Sequence, residues 1–169
     1  MNRSDLELRA LTSLLIETSV NGRPWKGEIP VWETLLEFLR YRVGLTGTKR
    51  SCQSQVCGAC TVLMDERPIS SCSVLAFEID GHSVTTVEGL STGEKLDPVQ
   101  EAFVVTGAVQ CGYCTSGQLM AAKGLMSERR EPTVEEIRRW MAGNICRCGC
   151  YPAILEALQR VSAGDTDGS

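Results

Sequence analysis

Nine cysteines in a chain of 169 residues are the feature that demands chemistry. Thiols in such number either close disulfides or bind metal. The count is odd, and the opening stretch, Met1 to Arg9, mixes Arg3, Asp5, Glu7 and Arg9 instead of forming a secretory signal. A reducing, cytoplasmic setting is therefore expected, and metal binding explains the cysteines better than a disulfide scaffold. They fall into two groups: Cys52, Cys57, Cys60 and Cys72, then Cys111, Cys114, Cys146, Cys148 and Cys150. The first group reads C-x4-C-x2-C, with eleven residues between Cys60 and Cys72. A rhombic core of two irons and two sulfides needs four thiolates, two per iron. A tight loop of small residues can wrap one side of it, supply three of them and turn its N–H groups towards the sulfides. Zinc with four cysteine ligands prefers two short knuckles, and this group has one.

The spacing of Cys52, Cys57 and Cys60 is the plant-type ferredoxin spacing, with Cys72 arriving from beyond a hairpin. The second group reads C-x2-C, thirty-one residues, then C-x-C. Spacing does not choose between the two overlapping C-x-C pairs in Cys146-Arg147-Cys148-Gly149-Cys150. C-x2-C also marks zinc knuckles and thioredoxin-like pairs, but the latter want a βαβ setting that the sequence around Cys111 does not offer. Cys111 and Cys114 stand just ahead of one predicted helix, and Cys146 and Cys148 between the next two. Helix N-termini facing each other there would aim N–H dipoles at an anionic cluster.

The elements that must hold these groups change texture along the chain. Leu14 to Val20 predicts a strand, Asn21-Gly22 a hairpin turn, and Trp25 to Ile29 a second strand. Thr34 to Val43 predicts a helix with Leu35, Leu36 and Leu39 on one side. Thr61 to Met64 and, after the Asp80-Gly81 turn, Ser83 to Val87 predict further strands; Asp65-Glu66 is a turn before Ile69. Beyond Gly89 the signals are helical. Asp97-Pro98 opens a helix to about Val105, Thr115 to Met126 forms another, and the capping box Thr133 to Glu136 opens a third through Trp140. Pro152 begins a last helix with Ile154, Leu155 and Leu158, and the Ser/Gly/Asp-rich end after Ala163 is expected to be loose. The expected fold class is α+β, with residues 1–90 as one domain and 91–169 as a second, helical one.

Other chemistries find little support. His82 is the sole histidine, too few for Rieske ligation and poor ground for a Ser–His–Asp triad, and after its turn it should face solvent. No G-x-G-x-x-G or P-loop occurs. A net charge of −4 gives no reason to expect nucleic acid, and no apolar run approaches the roughly 20 residues that span a bilayer. Trp25, Trp32 and Trp140 read as packing residues, and Glu128 to Glu131 as a solvated turn.

Five segments carry a resemblance: Gly47-Thr48-Lys49, Cys57-Gly58-Ala59-Cys60-Thr61-Val62, Val87-Glu88-Gly89-Leu90, Gln110-Cys111-Gly112-Tyr113-Cys114 and Gly143-Asn144-Ile145-Cys146-Arg147-Cys148. In this order, across about Val20 to Leu158, the chain resembles the small iron–sulfur subunit of the xanthine oxidase family of molybdenum hydroxylases. The resemblance implies a plant-type ferredoxin-like (β-grasp) domain followed by a four-helix bundle, each holding one [2Fe–2S] cluster. It implies Cys52, Cys57, Cys60 and Cys72 as ligands of the first cluster, and Cys111, Cys114, Cys146 and Cys148 as ligands of the second. Gln110 and Cys148 occupy the positions that touch the molybdopterin. The implied role is electron relay from a molybdenum-cofactor subunit that hydroxylates a substrate with water, through both clusters, to a flavin or other acceptor. The implied partners are a large molybdenum subunit and a medium FAD subunit, in a hetero-oligomer such as a dimer of heterotrimers, with no substrate site on this chain. Two departures stand out. Ser51 and Gln53 replace usual glycines, and Gly149-Cys150-Tyr151 replaces Thr-Gly-Tyr, which leaves the Cys150 thiol near the second cluster as a bystander, the favoured reading, or as an oxidation liability or a substitute ligand. The rival readings are a free-standing two-cluster ferredoxin and a zinc-stabilised binding module.

Overall fold

In the computed structural model, residues 12–165 are described, so the expectations for the opening stretch and for most of the loose tail lie outside the described residues. Strands β1 (Ser13–Val20) and β2 (Arg23–Pro30) form an antiparallel hairpin in which Val20 faces Arg23. Asn21 and Gly22 turn it with φ of 51° and 74°, the paired left-handed geometry that matches strand twist. Strands β3 (Thr61–Met64), β4 (Arg67–Ser70) and β5 (Ser83–Thr85) complete a mixed five-stranded sheet in the order β2-β1-β5-β3-β4, with β5 parallel to β1.

Period-two alternation sends Ile16 and Val20 of β1 inward, where they join Ile29, Leu35, Phe38, Leu39, Val62 and Val84 in one apolar core. Trp25 packs edge-on against Phe38 at 4.7 Å, the packing role expected of it. Trp32, by contrast, is 65% exposed. A Thr34–Glu37 capping box starts α1 (Leu35–Glu37). The helix expected through Val43 then widens into a π turn, Phe38–Arg42, where the Val43 N–H reaches back to the Phe38 carbonyl. Over so few residues the spacing of apolar side chains does not separate an α turn from a π turn. The strand expected through Val87 stops at Thr85. Asn21 Oδ1 accepts from the Thr86 N–H at 2.8 Å and the Thr86 hydroxyl donates to Glu88 at 2.5 Å, so side chains take over the ladder's bonds.

Four helices follow: α2 (Pro98–Val105), α3 (Thr115–Glu128), α4 (Val134–Met141) and α5 (Tyr151–Ala163). Asp97 caps α2 through the Val99 N–H and pairs with Lys123 of α3 at 2.5 Å. Phe103, Met120, Leu125, Ile137, Ile154 and Leu158 fill a second core. The Trp140 indole donates to the Ala121 carbonyl and so locks α4 onto α3. The two cores touch along β3: Val62 belongs to the sheet's core, and its neighbour Leu63, on the opposite face, belongs to the helices' core. His82 is exposed, as expected, and its Nδ1 lies 2.5 Å from Asp65 Oδ2. No described helix is long and apolar enough to cross a membrane.

Candidate metal centres

The first cysteine group is drawn together by the loop ahead of β3 and by the β3–β4 hairpin. Antiparallel register sets Thr61 opposite Ser70. The next residue, fully buried Ser71, then fastens both its N–H and its hydroxyl to the Cys60 carbonyl at 3.3 and 2.8 Å. That latch delivers Cys72 beside Cys60, and their thiols interact. On the other side of the loop the Cys52 and Cys57 thiols interact. The backbone N–H groups of Ser54 (3.4 Å from the sulfur) and then Cys57 draw the Cys52 thiol down to about 6. Burial pushes the Cys60 thiol up to about 11. Donated N–H groups favour thiolate, the form that ligates metal.

The second group gathers between α3 and the loop that enters α5. Cys111 meets Cys148, and Cys114 meets Cys146. The Tyr113 N–H, and then the Cys148 thiol, lower Cys111, whereas burial pushes Cys114 up to about 11. For Cys146, burial is outweighed by the Cys150 N–H, the Cys114 thiol and the Cys148 N–H, so the net direction is down. The Cys150 N–H lies 3.4 Å from the Cys146 sulfur. The Cys150 thiol is buried against Cys146 as well, and burial raises it.

The donor set suits a cluster of two irons. The first group brings Cys52 to Cys57 and Cys60 to Cys72, and the second brings Cys111 to Cys148 and Cys146 to both Cys114 and Cys150. Ser116, two residues beyond Cys114, has one of the two buried side-chain polar atoms left without a partner among the described residues. An unsatisfied buried hydroxyl calls for an acceptor. Gln110, Cys111 and Cys148 are all exposed, so this edge of the second group is open to a partner.

Three residues of the site have no role that their residue type reveals, although Tyr113 and Asn144 fall within segments that carry the resemblance. Ser71 is one. Tyr113 is another; its hydroxyl donates to the Arg50 carbonyl, two residues before Cys52. The third is Asn144, buried between the two cysteine loops. Serine, tyrosine and asparagine are ordinary surface residues, and only the packed fold shows them bridging.

Comparison with known proteins yields two family matches, in series. Residues 18–86 match the family described as a 2Fe-2S iron-sulfur cluster binding domain, and residues 86–159 match a [2Fe-2S] binding domain. The chain is 47% identical over 143 residues to the nicotine 6-hydroxylase small subunit of Paenarthrobacter nicotinovorans, covering 85% of this chain and 86% of that one. It is 42% identical over 148 residues to the xanthine dehydrogenase iron-sulfur-binding subunit of Escherichia coli O157:H7, over 86% of this chain and 92% of the other. Among solved structures, quinoline 2-oxidoreductase from Pseudomonas putida 86 superposes with a TM-score of 0.86 at 41% identity, covering 91% of this chain and 96% of that one.

Proposed function

This chain belongs to the small iron–sulfur subunits of the xanthine oxidase family of molybdenum hydroxylases, and from that premise we propose how its residues serve the role. It is the electron-transfer subunit of a multi-subunit oxidoreductase whose large subunit holds the molybdenum cofactor. Cys52 with Cys57 and Cys60 with Cys72 hold the first [2Fe–2S] cluster, each pair on one iron. Cys111 with Cys148 and Cys114 with Cys146 hold the second in the same way. Bound there, the clusters supply one-electron relay between the molybdenum centre and a flavin or other acceptor. The chain's own residues fix the thiols, direct N–H groups at Cys52, Cys111 and Cys146, and bury Cys60 and Cys146 away from water while half-burying Cys114. Gln110 and Cys148, exposed beside Cys111, contact the molybdopterin, while Cys150 stays a spare thiol. Residues 1–90 form the plant-type ferredoxin-like (β-grasp) domain and residues 91–169 a four-helix bundle. The medium partner carries FAD, the assembly is a cytoplasmic dimer of heterotrimers, and the substrate site lies off this chain.

The observation that carries this reading is the convergence of the thiols, Cys52 with Cys57 and Cys60 with Cys72, then Cys111 with Cys148 and Cys114 with Cys146, with backbone N–H groups on the sulfurs of Cys52, Cys111 and Cys146. Metal and acid-labile sulfide analysis of the purified complex tests it. Two irons and two sulfides are expected for each cysteine group, with two distinct S = 1/2 EPR signals on reduction. Stoichiometric zinc with little iron would overturn it.

A further inference from the structure

The two cysteine loops are joined to each other directly. The Ile145 N–H donates to the Cys57 carbonyl at 2.9 Å, and the residue after Ile145 is Cys146. One hydrogen bond thus connects a thiol of the first group to a thiol of the second through two short runs of covalent bonds. Asn144 holds that bond in register. Its own N–H donates to the Met141 carbonyl at 3.0 Å, and its carbonyl accepts from the Gln118 side chain at 2.9 Å, which anchors it to the helices. Its Nδ2 reaches across to the Gly58 carbonyl at 3.0 Å and the Thr61 hydroxyl at 3.3 Å. The Thr61 hydroxyl in turn donates to the Gly58 carbonyl at 2.7 Å. Both Asn144 and Gln118 are buried, at 7% and 1% exposure, where an amide left without partners is costly. Gly58 has φ of 70°, and a Cβ there would stand 2.5 Å from Asn144 Nδ2, so the approach needs glycine.

We propose that Asn144 is a positioning residue for electron exchange between the two cluster sites, clamping the Cys57 carbonyl to the Ile145 amide as the through-bond link. The proposal rests on the ligand reading above, in which Cys57 and Cys146 each bind iron. It assigns Asn144 no contact with either cluster. Its effect is on coupling, not on either site's own chemistry.

The test uses the purified hetero-oligomeric complex with Asn144→Ala and, as a milder change, Thr61→Val, which removes the shared hydroxyl with little change of shape. Iron content, the midpoint potential of each cluster, spin–spin splitting of the EPR signals in the fully reduced complex, and the rate of inter-cluster re-equilibration after pulsed reduction are measured. The expected result is wild-type iron and potentials, weakened splitting and exchange slowed several-fold, with Thr61→Val intermediate. Unchanged splitting and exchange in Asn144→Ala with full iron would overturn the proposal. So would loss of iron from both variants, because the residues would then build a cluster site and not a link. Wild-type complex with fewer than two irons per cysteine group would instead sink the ligand reading, a separate failure.

Discussion

Gln53 and Gln55 sit in the first cysteine loop with φ of 57° and 61°, a region that costs an L residue roughly 1–2 kcal/mol. The strain at Gln53 belongs to a position where the resembling family carries glycine. Gln53 is held by the Arg50 Nε at 2.9 Å, yet Arg50 keeps its ion pair with Glu37 if that contact is lost. Gln53→Gly is therefore expected to stabilise the loop by about 0.5 kcal/mol, after subtracting the extra freedom of glycine in the unfolded chain. Thermal bleaching of the visible absorbance reads this as a higher midpoint at unchanged iron content, and a lower midpoint would show that the Gln53–Arg50 contact dominates. The run Cys146 to Cys150 carries the second residue-level prediction. Cys146 meets both Cys114 and Cys150, and two irons have no place for a fifth thiol unless one is displaced; the family register makes Cys150 the spare one. Cys148→Ser should abolish or strongly perturb the second EPR signal, whereas Cys150→Gly should keep full iron. Iron loss in Cys150→Gly, together with retention in Cys146→Ser, would move the ligand pair to Cys148 and Cys150.

At the scale of elements, α3 and the first cysteine loop approach more closely than side chains allow. A Cβ on Gly117, in the first turn of α3, would lie 2.1 Å from the Gly58 carbonyl and 3.0 Å from the Ala59 Cα. Both are backbone atoms, so nothing flexible can give way. Gly117→Ala is expected to cost about 1–3 kcal/mol through overpacking. It should also slow inter-cluster exchange, because the helix that anchors Asn144 through Gln118 is pushed off the loop. Denaturant unfolding and pulsed reduction check the two parts separately. Most elements were legible because their signals are local: Asn21-Gly22 for the hairpin, Asp97-Pro98 and Thr133-Glu136 for helix starts. What stayed hidden is set by distant partners. The Thr86 bonds that end β5 come from Asn21 and Glu88, and the early stop is visible only once the sheet is assembled. Gly117 reads in the sequence as a mild defect in a helix, and its reason lies in a loop far away in the chain.

Across the whole molecule, the two cysteine groups are visible in the sequence, whereas the way their loops are joined is not. Each cysteine set leans on its own apolar core. The first set flanks β3, whose Val62 belongs to the sheet's core, and in the second Cys146 lies within the helices' core with Cys114 packed against it. The cores share one strand, β3, whose alternating faces keep Val62 on one side and Leu63 on the other. The two cysteine loops are joined by polar bonds: the Cys57 carbonyl with Ile145, Gly58 with Asn144, and Arg50 with Tyr113. None of these bonds uses a cysteine thiol. Losing one cluster therefore removes ligation energy from one core while leaving the joint and the other core in place. Cys57→Ser and Cys60→Ser should each abolish the EPR signal of the first cluster, spare that of the second, and halve the iron content of the complex. Substrate-driven reduction of the second signal should continue, while electron delivery to the flavin or external acceptor stops. Freeze-quench EPR against substrate, with acceptor reduction followed in parallel, reads both halves. Should both signals vanish together from a variant whose circular dichroism stays native, the two sites would be one cooperative unit, and the separation argued from the two cores would be wrong.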